Sequence, residues 1–146
     1  MYGWLRAAGE ELGWRCYLQP LLLQQYGAGT TFFLIGIAWG LFHVPVMILM
    51  GHKPYTVIFQ ALSCIPHAYL EGWLALATGH ALWAPATAHW AWNRFNPFII
   101  GSVYVAKDGN GMLTGRQWLI NGEGAMGVIV ISPFAWYLVS EASSWM

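Results

Sequence analysis

The chain has 146 residues, 58% of them hydrophobic and 8% charged, and its net charge is zero. A soluble domain carries roughly a quarter charged residues, so this composition excludes an ordinary water-soluble globule and points to a polytopic membrane protein. Zero net charge offers neither a basic surface for nucleic acid nor an acidic tail, and no nucleic-acid partner is expected.

The first residues, MYGWLRAAGEE, lack the basic start, apolar stretch and small-residue cleavage site of a secretory signal. Residues Arg6 to Tyr26 read as a helix ended by Gly27 and Gly29. Thr30 to Met50 follows, long enough to cross a bilayer. Its ionisable residue is His43, and Pro45 should free the carbonyl of Leu41 and kink the helix. The loop GHKPY turns the chain. A second apolar stretch, Tyr55 to Thr78, is interrupted by Pro66, His67 and Glu71, and Gly79 breaks it. A third, His80 to Ile100, contains Pro85, His89, Asn93 and Arg94. A polar loop then runs from Gly101 to Gly124, with KDGNG as its turn signal and MLTGRQWLINGEG as a short interfacial segment. Ala125 to Ser140 is the last span.

These elements make the expected fold all-α: a single polytopic transmembrane helical bundle over residues 1–146. Backbone groups inside lipid must be satisfied locally, which favours helices, and the ten-residue alternation of a barrel is missing. The ten Trp and seven Tyr suit membrane interfaces. Cys16 and Cys64 lie far apart in apolar surroundings and read as packing residues.

Four polar stations interrupt the apolar helices: Glu10, Glu11 and Arg15; His43; His67 with Glu71; and His89 with Asn93. Ionisable groups are expensive in a membrane and face a cavity or one another. Glu11 and Arg15 are four apart and share a helix face, so they can pair. Glu10 points about 100° away and is left for chemistry. Each station also has a structural reading. Glu10 could sit in interfacial water, His43 could bond the carbonyl freed by Pro45, and His89 with Asn93 could join helices. For His67 with Glu71 the structural reading is preferred, and His52 and His80 read as loop or helix-end residues. Taken together, a carboxylate, two imidazoles and an amide supply what amide hydrolysis needs: a base for water and donors for an oxyanion.

The run GEELGWRCYLQPLL resembles the EExxxR motif of the CPBP intramembrane proteases, the CAAX protease and bacteriocin-processing family of the ABI superfamily. AWGLFHVPV is similar to that family's second motif, an aromatic residue ahead of a histidine, and LWAPATAHWAWN to its third, HxxxN. The resemblance covers residues 9–95. It implies an intramembrane endopeptidase in which Glu10 activates a water, His43 helps to hold it, and His89 and Asn93 stabilise the oxyanion. Glu11 and Arg15 would support them. Members have been described as metalloproteases and as glutamate proteases, so a divalent metal such as zinc stays open; Glu10, His43 and His89 would hold it. The alternative is a non-catalytic membrane module for bacteriocin immunity or partner binding. The resemblance further implies an integral protein of the bacterial plasma membrane, with membrane lipid and a membrane-associated peptide or protein as partners. Trp39 stands where the family often has Phe, and Cys16 where glycine is usual. Family domains carry helices ahead of the first motif, whereas nine residues precede Glu10, so upstream helices are expected to be lacking.

Overall fold

The structure, a computed structural model, describes residues 2–102, 112, 116–120 and 122–142. Among these residues every regular element is helical. The chain enters through α1 (Tyr2–Glu11), continues without a break into a π-helical segment (Leu12–Leu18), and ends that rod in α2 (Gln19–Leu23). Then come α3 (Ala28–Leu49), α4 (Pro54–Ala77), α5 (Trp83–Ile99), the short α6 (Gln117–Ile120) and α7 (Ala125–Ala142). By length and composition α3 can cross a membrane, with a mean hydropathy of 2.2. The KDGNG turn lies outside the described residues.

The first rod runs from Tyr2 to Leu23 rather than from Arg6 to Tyr26, and helix ends differ from the sequence reading in two further places. Gly27 is extended and caps α3, but Gly29 falls inside α3, where its carbonyl accepts the Tyr69 hydroxyl at 2.8 Å. The third apolar stretch becomes helical only at Trp83, because Gly79 and His80 both take left-handed φ values, 62° and 61°. For a histidine this backbone is strained, and the π segment holds it there. His80 Nδ1 lies 3.2 Å from the Arg15 carbonyl, and the Cys16 thiol faces the His80 carbonyl at 3.5 Å.

The α3–α4 interface forms the centre of the fold. Gly36 and Gly40 lie one turn apart on α3 and meet the α4 backbone at Ile65 and Ala61. A methyl group on Gly36 would come within 2.7 Å of the Ile65 Cα. Such small residues let two helix backbones approach closely where dispersion drives packing. Ile35, Trp39, Cys64 and Ala68 make the buried core between them, with Trp14, Leu18 and Leu22 of the first rod against it. Helix α1 reaches α5 through buried Ala7 and Ala8 and a hydrogen bond from Trp4 Nε1 to Thr87 Oγ1 at 3.2 Å. Val139 of α7 packs with Ala28 and Phe32. Large apolar side chains such as Leu41, Ile48, Leu49, Phe134 and Trp136 face outward.

Candidate active site

The first motif folds into a buried polar stripe. Glu11, Arg15 and Gln19 are all 0% exposed. An α-helical period carries each four-residue step about 40° round the axis. Both steps run through the π segment, whose i→i+5 bonding turns less per residue, and the three side chains stay on the buried face of the rod. The Glu11–Arg15 pair read from the spacing is present, with Arg15 Nη1 3.0 Å from Glu11 Oε2 and donating to Oε1 at 3.2 Å. Gln19 Nε2 donates to the Gly72 carbonyl at 3.0 Å and fixes the rod to α4.

Two further groups join Arg15 and Glu11. Arg15 Nη2 lies 2.6 Å from Glu71 Oε2, and His89 Nδ1–H donates to Glu11 Oε1 at 2.7 Å. The His67 and Glu71 station therefore splits. Glu71 enters the motif network, whereas His67 packs edge-on against Trp92, 4.3 Å between ring centroids. Both line a cavity of about 320 Å³ between α4 and α5, otherwise walled mostly by apolar side chains.

Glu10 takes the separate position expected of it. It is half-buried, its Oε2 accepts the Trp39 indole N–H at 3.0 Å, and it opens onto a second cavity of about 550 Å³. Arg6, Gly9, Trp14, Tyr17 and Phe42 also line that space. His43 Nδ1 lies 2.8 Å from the Trp39 carbonyl rather than from that of Leu41. A carbonyl can only accept, so Nδ1 carries the proton and the ring's lone pair lies on Nε2. Cys64 Sγ is 3.9 Å from the same Nδ1, and both cysteines are free thiols. Trp39 packs edge-on against His43 at 5.7 Å and His89 at 5.3 Å, so Glu10 and both histidines meet around one indole. Asn93 does not join them: it lies on the exposed side of α5.

The donor set for a metal also differs from the sequence reading. Among the described residues, the group whose ligand atoms approach within 4.8 Å of one another is Glu11, Glu71 and His89, not Glu10, His43 and His89. That group fits a divalent cation poorly. The Arg15 guanidinium already touches both carboxylates, so an incoming ion would face a fixed positive charge.

The model of the family described as "Type II CAAX prenyl endopeptidase Rce1-like" matches residues 1–95. The chain belongs to that family. The matched stretch contains all three motifs and every residue placed around Trp39 and Arg15 above. A CAAX prenyl protease 2 from Methanococcus maripaludis is 31% identical over 80 residues, which cover 49% of this chain and 30% of that protein. The chain thus spans less than a third of that relative. No solved structure matches it.

Sequence reasoning missed three contributions. The Glu71–Arg15 pair joins residues 56 apart along the chain, and helix periodicity reports only neighbours within a turn or two. Gln19 was legible as the next step of the stripe begun by Glu11 and Arg15. A third cluster lies beyond the motifs: buried Glu123 accepts from Asn96 Nδ2 at 3.1 Å and from Ser102 Oγ at 2.9 Å. The signal there was the GEG run of residues 122–124, which the sequence offers only as the end of a short interfacial segment.

Proposed function

We propose that the chain acts as an intramembrane endopeptidase that hydrolyses a peptide bond through a water activated by Glu10. The observation that carries this reading is the division of labour between adjacent glutamates. Glu11 is fully buried and engaged by Arg15 and His89, whereas Glu10 lines the larger of the two cavities. A general base must reach the proton it removes, and of the two only Glu10 faces a space that a substrate can enter.

In this reading the peptide lies in the cavity beside Glu10, with apolar parts against Trp14, Leu18 and Phe42. Glu10 Oε1 takes a proton from water as the water oxygen attacks the carbonyl carbon, and returns it to the departing amine nitrogen when the tetrahedral intermediate collapses and the C–N bond breaks. His43, with its lone pair on Nε2, accepts a hydrogen bond from that water and orients it. His89 is held through Nδ1 by Glu11, which directs Nε2 outward. A protonated His89 would balance the two carboxylates, Glu11 and Glu71, against the single Arg15, and its Nε2–H would then stabilise the oxyanion. The resemblance gives Asn93 a share in that role. No step is routed through a metal, because Arg15 occupies the only donor group of ligand geometry among the described residues.

The outward apolar side chains of α3, α5 and α7 support a polytopic arrangement in a membrane. The substrate class follows from the family and from the relative's name: a membrane-associated peptide ending in a prenylated CAAX tail. The test is to reconstitute the chain in liposomes with such a peptide and follow the products by mass spectrometry. Release of the residues beyond the prenylated cysteine supports the reading. An intact peptide, with the chain folded and inserted, refutes it.

A further inference from the structure

Trp39 occupies the point where the site residues meet. It is 5% exposed, its N–H reaches Glu10 Oε2 at 3.0 Å, and its ring lies between His43 and His89. The Arg15 guanidinium carbon stands 4.5 Å from the ring centroid, within cation–π range. One side chain therefore contacts Glu10 from the first motif, the ion pair behind it, and the histidines of the second and third motifs.

An indole N–H can donate a hydrogen bond and can do nothing else in acid–base chemistry. Trp39 is thus neither a base nor a proton carrier, and its effect must act through the group it holds. A glutamate on an open cavity wall has several rotatable bonds and two equivalent oxygens. Donation to Oε2 removes that equivalence: it fixes the carboxylate plane and leaves Oε1 as the oxygen that meets a water. The ring also fixes how far the two imidazoles stand apart. Phenylalanine at this position would retain most of the ring packing and lose the N–H, so the two contributions can be separated.

We infer that Trp39 is a positioning residue for the hydrolysis, its indole N–H holding Glu10 so that Oε1 faces the attacking water. This rests on the reading of Glu10 as the base. A residue that only filled space would tolerate the change to phenylalanine. Loss of a hydrogen bond to a charged group that is needed in the transition state lowers the rate roughly ten-fold or more.

The test uses the full 146-residue chain and the Trp39→Phe variant in liposomes with a prenylated CAAX peptide. The variant should show kcat lowered about ten-fold or more with KM unchanged, because the lost contact orients the base and does not bind the peptide. A second measurement needs no turnover. In a nitrogen–proton correlation spectrum of the detergent-solubilised protein, the indole signal that disappears in Trp39→Phe is that of Trp39. This signal should move upfield in Glu10→Ala, where the acceptor is gone. An unmoved signal, or a Trp39→Phe variant as fast as wild type, overturns the role of Trp39 while leaving Glu10 as the base. A wild-type chain that does not cleave defeats the reading of Glu10 and this role with it.

Discussion

Replacing Arg15 with methionine tests the network behind the site most severely. Arg15 is 0% exposed, its Nη1 lies 3.0 Å from Glu11, and its Nη2 lies 2.6 Å from Glu71. At an effective dielectric of about 20, each contact gives roughly 5–6 kcal/mol of gross attraction. Desolvation of three buried charges offsets most of that, and breaking a buried pair by removing one partner costs about 3–5 kcal/mol. Here one guanidinium serves two carboxylates, so Arg15→Met strands Glu71, leaves Glu11 with His89 alone, and should lie at the upper end. Lysine cannot replace the fork, since one ammonium is a point charge that does not span both oxygens; Arg15→Lys should fall between. Adding Glu71→Gln to Arg15→Met removes one stranded charge and should recover part of the loss. Reversible denaturation in mixed detergent micelles measures all four proteins. If Arg15→Met unfolds within about 1 kcal/mol of wild type, Arg15 does not neutralise the two carboxylates, and the assignment of Glu11 as the structural glutamate falls with it.

Gly40→Ala should force the α3 and α4 backbones apart at Ala61 and lower stability by about 1–3 kcal/mol; an unchanged unfolding midpoint would mean that the close approach is not needed. Glu123→Ala removes the acceptor shared by buried Asn96 and Ser102 and should lower stability by about 1–3 kcal/mol. Hydrogen exchange should then rise at the end of α5 before it rises in α3. Equal protection in variant and wild type would show that this cluster does not secure α5.

Much of the fold could be read from the pattern of apolar runs. Helices α3 and α4 begin and end within about two residues of the expected limits, because Gly51 and Pro54 at their junction leave little choice of boundary. The start of α5 was not legible, since the left-handed turn at His80 depends on contacts with the π segment, far away in sequence. The separation of Glu10 from Glu11 followed from helical geometry alone. What stayed hidden was the partner of each charge. The spacing of His67 and Glu71 put them on one helix face and favoured a structural role, yet Arg15 draws Glu71 away because two buried carboxylates compete for one cation. The hydrogen bond from Trp39 was equally hidden: the motif requires only an aromatic ring, and the N–H gains a partner only once α1 and α3 are packed.

The central claim is that adjacent glutamates have opposite duties, and parallel measurements on Glu10→Gln and Glu11→Gln address it most directly. Each variant is scored for cleavage of a prenylated CAAX peptide in liposomes and for unfolding in detergent. Glu10→Gln should lose cleavage while unfolding like wild type, and Glu11→Gln should unfold more readily and also cleave less, because Glu11 holds His89. Normal cleavage by Glu10→Gln, or a Glu11→Gln variant as stable as wild type, would contradict the account.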